Sequence, residues 1–422
     1  MSALSRFASQ NHTGGMRSGI MLAFMLLGVS APASAYEPLP DLQIHGFLSQ
    51  GAIHTDHNEI FGTSSTGVEL NVREIGVNAS WLATPDLRLA GQVLSRKAGR
   101  TDEGDLRLDY GLLDWTPLYS EQWRVGTRLG RVKMPIGLYN ETRDVAHTRP
   151  GILMPQSIYA EGLRNIMLSA DGLSLYGETR TQQGDFFLDL QGGQLREGDF
   201  DDFLSAAGAP FSSNDSSTLV ARLAYEKDSG RIRAGIYGMQ LDIDISGDAD
   251  ALFPGLGAYI PTIAGGLRMK MHGLYAQYNG LHWSFTGEVQ RVKSEVHDVT
   301  VVPGIGPVLP DQSSPTNSYY LQTGYRFSPD WEMFLRRDQI QSHTRGLRLP
   351  DGSIEDIYGL AHRGFARDWT LGVGWTPTEQ LLLRAEIHHV YGTAWLSLAD
   401  NPDTDQLYKH WNLLALEAAY RF

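Results

Sequence analysis

From Leu42 to the last residue, apolar and polar residues alternate in short segments punctuated by Gly, Pro, Asp and Asn, with no amphipathic helix longer than two or three turns. A period of two sends successive side chains to opposite faces, so each segment has one greasy face and one polar face. In Trp411 to Phe422, the residues Leu414, Leu416, Ala418, Tyr420 and Phe422 share one face, and Glu417 and Arg421 lie on the other. Leu87, Leu89, Gly91 and Val93 alternate in the same way with Arg88, Ala90 and Gln92, and Leu106, Leu108, Tyr110 and Leu112 alternate with Arg107, Asp109 and Gly111. About 16 such strands are predicted, at 42–53, 67–81, 86–97, 105–116, 122–132, 171–181, 185–194, 217–227, 230–240, 266–279, 281–293, 318–328, 330–341, 367–377, 379–391 and 411–422. Alternation lapses around Glu74-Ile75, which predicts a bulge or a different register there.

Two architectures hide the greasy faces: a sandwich, against a second sheet, and a membrane barrel, against lipid with the polar faces around the inside. The connections fall into two classes that alternate along the chain. Tight turns such as Thr84-Pro85-Asp86, Lys227-Asp228-Ser229-Gly230, Asn279-Gly280, Ser328-Pro329-Asp330 and Thr376-Pro377-Thr378 are interleaved with long loops. Trp81, Trp115, Trp123, Trp283, Tyr325, Phe327, Trp331, Trp369, Trp375 and Phe422 fall near segment ends, where aromatic girdles of a barrel belong. The last segment, with its terminal Phe422 and with Tyr420 on the same face, resembles the final strand of Gram-negative outer-membrane barrels. The resemblance implies that the barrel assembly machinery reads it. The edge strand of a periplasmic sandwich is the rival reading.

The N-terminus supplies an address. Arg17, the apolar run IMLAFMLLGV at 20–29 and Ala33-Ser34-Ala35 form the charged, greasy and small-residue parts of a secretory signal, with cleavage expected after Ala35. Residues 1–35 are therefore expected to be a signal peptide and 36–422 the barrel; Met16 is an alternative start. The greasy run has ten residues, about half of the ~20 a spanning helix needs. The formal charge of the 422 residues is −13, and −15 without residues 1–35, which carry Arg6 and Arg17 and no acid. A balance this acidic disfavours nucleic acid as a partner. With no Cys there are no disulfides, thiolate metal sites or Cys nucleophiles.

The longest early gap, 133–170, follows the fifth strand, and Pro135 and Gly137 account for that strand's end. Its opening run, GRVKMPIGLYNETRDV from Gly130 to Val145, resembles the strand exit and inward loop of the Gram-negative outer-membrane porin superfamily that includes the phosphate-selective type. The resemblance implies an all-β, about 16-stranded antiparallel transmembrane β-barrel with an inward-folded constriction loop. It further implies passive diffusion of small hydrophilic solutes and a homotrimer in the outer membrane, in contact with its lipid and lipopolysaccharide. Dense Lys/Arg loop clusters of a dedicated phosphate channel are absent.

A constriction needs charges of opposite sign facing each other. The loop offers Glu141, Arg143, Asp144, His147 and Arg149, and the walls offer Arg124 and Arg128, which share a face with Gly126 and Gly130, together with Arg88 and Arg107. The expectation is that Arg143, Arg149, Arg124 and Arg128 face Glu141 and Asp144 across a gap. Arg96, Asp109, Arg222, Arg233, Arg268, Lys270, Arg326, Arg384 and Glu386 have the same inward parity, each also readable as a plain solvated lumen residue. Acids crowd stretches read as loops, Asp102-Glu103-Gly104-Asp105, Glu197 to Asp202 and Asp242-Ile243-Asp244, so a mild anion preference behind an acidic mouth is expected. Asp242, Asp244, Asp248 and Asp250 alternate as in a calcium loop, without the spacing or closing Glu of a full site.

Three rivals stand beside a channel. A barrel enzyme of lipase or protease type needs a nucleophile beside a His, yet no Gly-x-Ser-x-Gly or His-Glu-x-x-His occurs. The nearest cluster, His388-His389 with Glu386, sends its two imidazoles to opposite faces. A receptor with a plug domain has no room between Ala35 and Leu42. A filled structural or adhesive barrel is countered by inward glycines, Gly111, Gly126, Gly130, Gly235, Gly324, Gly372 and Gly374, read as open space. No motif implies a metal or cofactor, and no enzymatic activity is expected.

Overall fold

The computed structural model describes residues 41–196, 198–200, 211–248, 262–300, 311–343, 347–348, 354–355 and 361–422. The expected signal peptide lies outside them. Eighteen strands occur among these residues: β1 Leu42–Thr55, β2 Glu69–Thr84, β3 Leu87–Ala98, β4 Glu103–Tyr119, β5 Trp123–Lys133, β6 Ser169–Thr181, β7 Gly184–Gln194, β8 Phe211–Lys227, β9 Ile232–Asp248, β10 Thr262–Asn279, β11 Trp283–Thr300, β12 Gln312–Arg326, β13 Trp331–Ser342, β14 Leu347–Arg348, β15 Ile354–Glu355, β16 Phe365–Trp375, β17 Leu381–Gly392 and β18 His410–Arg421. β14 and β15 form a separate hairpin, and the other sixteen close an antiparallel barrel in which β1 pairs with both β2 and β18. Each of the sixteen expected segments corresponds to one barrel strand. The seam holds Phe422 in place: its N–H donates to the Gly46 carbonyl at 2.9 Å and its carbonyl accepts from the Gly46 N–H at 3.1 Å.

Alternation explains the closure. In β18, Trp411, Leu413, Ala415, Glu417 and Ala419 are buried, while Leu414 and Leu416 between them are exposed. Exposed Leu129, Leu175, Leu188, Leu335 and Leu371 continue this apolar outer belt around the barrel, and such a belt requires lipid. Exposed Trp81, Trp115, Trp123, Trp283, Trp331 and Trp375 rim its tight-turn end. At that end Asp228, Ser229 and Gly230 all have positive φ, closing β8 to β9 in four residues, 228–231.

Four expectations are corrected by the structure. Glu74 and Ile75 keep their alternation, Glu74 buried and Ile75 exposed; the expected break in β2 falls a few residues earlier, where Gly51 pairs with Val72 but Ile53 with Glu69, and another lies in β4, where a register shift pairs Tyr110 with Gln92 but Leu108 with Val93. That bulge sets Leu113 and Trp115, not Tyr110 and Leu112, on the exposed face with Leu106 and Leu108. Secondly, β8 to β12 run four to eight residues further toward the long loops than expected, so Asp242, Asp244 and Asp248 belong to strand β9, and β4 starts two residues earlier and takes in Glu103 with Asp105; Asp250, Glu197, Asp201 and Asp202 lie outside the described residues. Thirdly, Leu241, Ile243, Met269 and Met271 fill the inner face there, so Arg268 and Lys270 point outward. Lastly, three of the inward glycines make notches for rings: a Cβ at Gly126 would strike Tyr176, one at Gly235 Tyr275 and one at Gly372 Phe334. Gly111, paired with Gly91, sits on the outer face.

Candidate functional site

Residues 134–168, between β5 and β6, fold into the barrel. Pro135 cannot continue the strand ladder, and Met134 N–H closes the loop's neck by donating to the Leu168 carbonyl at 2.9 Å. Gly137 then turns at φ +62, where a Cβ would meet the Tyr159 hydroxyl. Asn140 is buried and its Nδ2 donates to the carbonyls of Met134 (3.0 Å) and Met167 (2.7 Å), tying the two ends of the loop together. The loop ends in a single helical turn, Arg164–Leu168.

On one side the loop is joined to the wall by ion pairs. Glu74 on β2 accepts from Arg96 Nε (3.1 Å), Arg149 Nη1 (2.9 Å) and Arg164 Nη1 (2.6 Å). Arg149 also pairs with Glu417 on β18, Arg164 with Asp144, Lys133 with Asp144 and, at 2.9 Å, with Asp109. Glu161 receives Arg143 at 3.1 Å and Arg96, and Asp102 receives Arg107 at 3.0 Å and Arg96 at 3.4 Å. These groups form one connected network of six cations and six carboxylates, which leaves it neutral. Burial opposes ionisation of Asp144, but Lys133 and Arg164 outweigh it and hold its carboxyl well below the usual range. Burial also opposes ionisation of Glu161, and the guanidiniums of Arg96, Arg143, Arg164 and Arg149 bring it down to about 2.

The opposite side uses mainly hydrogen bonds. Buried Glu288 on β11 accepts from the hydroxyls of Tyr159 and Tyr320, both at 2.7 Å. Glu386 on β17 accepts from the backbone N–H of Ile152 (2.5 Å) and Leu153 (3.3 Å), while Arg336 on β13 donates to the Leu153 carbonyl at 3.0 Å. Arg384 donates to the carbonyls of Ala146 (2.8 Å) and Arg149 (2.9 Å).

The expected constriction residues are therefore drawn together differently from the sequence expectation. Arg143 is buried, Arg149 is nearly so with its side chain 9% exposed, and neither faces Glu141 and Asp144 across a gap. Glu141 instead pairs with Arg222 on β8, itself 2.8 Å from Asp189. Arg124 pairs with Glu178 at 2.6 Å, and Arg128 lies 3.5 Å from Asp114 and over the Tyr176 ring. Burial and the nearby Arg421 and Arg384 lower His147 to about 4. Arg88 makes no ion pair among the described residues. Sequence reasoning passed over Glu161, Arg164 and Glu288.

Cavities lie on both sides of the loop. One of about 290 Å³ touches Arg96, Glu161, Asn165, Asp199 and Trp395 toward the long loops. Toward the turns, one of about 270 Å³ is lined by Arg88, Asp114, Arg124 and Glu178, and one of about 370 Å³ by His45, Asn78, Val145 and Arg421. His388, from the cluster weighed for catalysis, is 1% exposed between Asp368 (2.8 Å) and Glu386 (3.1 Å), closed to any substrate. His389 faces away and pairs with Asn412. Among the described residues no group of His and carboxylates could hold a metal ion.

Sixteen strands, an outward apolar belt and a long loop folded inside after the fifth strand define a known architecture. The fold is that of the outer-membrane porins. Solved structures match it along almost their whole length. OmpT of Vibrio cholerae superposes with TM-score 0.55 at 11% identity, over 92% of this chain and 100% of that one. The anion-selective porin from Comamonas acidovorans gives 0.53 at 12% identity, over 90% and 99%. The outer membrane channel DcaP of Acinetobacter baumannii gives 0.50 at 11%, over 92% and 100%. No family model and no curated protein matches the sequence. Identity this low carries the porin fold and leaves the solute to the residues of this chain.

Proposed function

We propose that this chain is an outer-membrane channel through which small hydrophilic solutes diffuse passively, its lumen divided by the inward loop into an outer and a turn-side vestibule. One observation carries the reading: a loop fixed by a neutral ion-pair network, with cavities on both of its sides, the turn-side one lined by Arg88, Asp114, Arg124 and Glu178. A transported solute meets the walls of those vestibules, and the buried loop charges set the shape of the opening. The proposed mild anion preference then belongs to the turn-side wall, to Arg88 and to Arg124, whose side chain is 51% exposed. Arg143, Asp144 and Arg149 act by holding the loop, and Glu141, His147, Arg107 and Arg128 by lining or bracing it. The proposal includes removal of residues 1–35 as a signal peptide, a single barrel domain over 36–422, recognition of Tyr420 and Phe422 by the barrel assembly machinery, assembly as a homotrimer, and no catalysis or cofactor.

Planar-bilayer recording tests it. Folded protein is expected to give discrete openings with a reversal potential slightly toward anions in a KCl gradient, and Arg88→Gln to move that potential toward cations with conductance nearly unchanged. Clear cation preference in the native protein would remove the anion assignment. Absence of openings from protein with normal heat-modifiable migration would replace the channel with a filled structural or adhesive barrel.

A further inference from the structure

The outer surface carries a group of charges that neither lipid contact nor the channel accounts for. On β10 and β11, Lys270 stands directly opposite Lys293, and His272 directly opposite Arg291. Lys270, His272, Arg291 and Lys293 are all exposed, on the outer face shared by Leu274 and Val289. Lys270 and Lys293 are like charges directly opposite on adjacent strands, which repel, and Arg291 adds a third cation one rung below. The next rung up is compensated: Arg268 faces Glu295 and pairs with Asp242, while Glu295 also takes Lys293. Among the described residues Lys270 and Arg291 make no ion pair.

Height identifies what reaches them. Trp283 marks the turn-side rim, and Lys293 is ten residues further along β11. At about 3.4 Å per residue and a strand tilt of roughly 40°, that is about 26 Å along the membrane normal, against a lipid band of about 25 Å. The cluster thus lies where head groups begin, at the long-loop edge. Directly beneath it Leu274, Val289 and Leu321 are exposed, an apolar strip for acyl chains. Cations over an apolar strip match an anionic amphiphile, with guanidinium and ammonium donors suited to phosphate oxygens.

We propose that Lys270, His272, Arg291 and Lys293 form a binding site for the phosphate groups of an outer-leaflet glycolipid, whose acyl chains lie along β10 to β12. The assignment of leaflet rests on the outer-membrane reading above, with the long loops outside. Native mass spectrometry of the detergent-solubilised full-length protein tests it with three probes: bisphosphorylated lipid A, the same glycolipid stripped of phosphate, and phosphatidylglycerol. The bisphosphorylated lipid is expected to bind at least tenfold more tightly than either other probe. K270Q/R291Q should lose that margin and K270R/R291K keep it, both with normal heat-modifiable migration. Equal binding of the dephosphorylated lipid, equal binding of phosphatidylglycerol, or unchanged affinity in K270Q/R291Q would each overturn the site. A change of oligomeric state in K270Q/R291Q without lipid would overturn it in favour of a second copy of the chain on this face. Lipid binding by protein that shows no bilayer openings would count against the channel alone.

Discussion

The two sides of the inward loop are held by different chemistry, and the difference decides how each can fail. Toward β2 to β5 and β18, Glu74, Asp144, Glu161 and Glu417 share their cations, so no pair stands alone. Toward β11 to β17, the anchors are hydrogen bonds: Glu288 takes Tyr159, while Glu386 and Arg336, joined to each other through His388, Asp368 and Thr370, hold Ile152 and Leu153. A shared network of buried charges contributes little net stability when intact, since desolvation offsets attraction, but removing one member strands the others. The Tyr159–Glu288 bond shares no partner with Glu386 or Arg336, so it can fail by itself. The largest effect is therefore expected for Glu74→Ala, which leaves Arg149 and Arg164 each short of one buried carboxylate: a loss of about 3–5 kcal/mol. It should be read as a lower unfolding temperature on heat-modifiable gels and as larger, noisier bilayer openings; unchanged openings would show that the loop does not narrow the path.

The hydrogen-bonded side should respond less. Tyr159→Phe removes a donor to Glu288 and the acceptor that receives the N–H groups of Leu138 (2.8 Å) and Tyr139 (3.0 Å). A cost of about 1–3 kcal/mol is expected, set by the buried groups left unpaired. If Tyr159→Phe proves as damaging as Glu74→Ala in the same assay, the contrast between shared and separate anchors collapses.

How much of this was legible in the sequence depends on the range of the interaction. The strands were, because a period of two is a local signal; so was the loop's departure point, fixed by Pro135 and Gly137. The sign of the alternation was not legible along the whole strand. In β9 the apolar Leu241 and Ile243 face inward and Asp242 lies on the outer face, since the lipid that enforces greasy-outside reaches only part of a seventeen-residue strand. The same reversal misplaced Arg268 and Lys270. The loop's charges were legible as candidates, their partners were not: Arg149 meets Glu417 across 268 residues of sequence, a pairing with no local signature. Inward glycines suggested space because a sequence does not show that a ring on the neighbouring strand fills the notch.

The smallest expected effect separates two stretches of the loop by pH. His147 is lowered from 6.5 to about 4, first by burial and then by Arg421 and Arg384, so the folded chain favours neutral imidazole. Between about pH 6.5 and 4 the unfolded chain binds a proton there that the folded chain does not, and stability falls on acidification. Glu161 is lowered from 4.5 to about 2 because its guanidinium neighbours overcome burial; its contribution is complete above 4.5 and lost as pH falls toward 2. Acid should therefore act in two windows, loosening residues 143–149 first and 159–165 later. Hydrogen-exchange protection, corrected for intrinsic rates, can follow both segments from pH 7 to 3. His147→Gln should flatten the first window and spare the second, because glutamine carries no proton to gain. If both segments loosen together below pH 4.5, or the first window survives in His147→Gln, His147 does not set the first window.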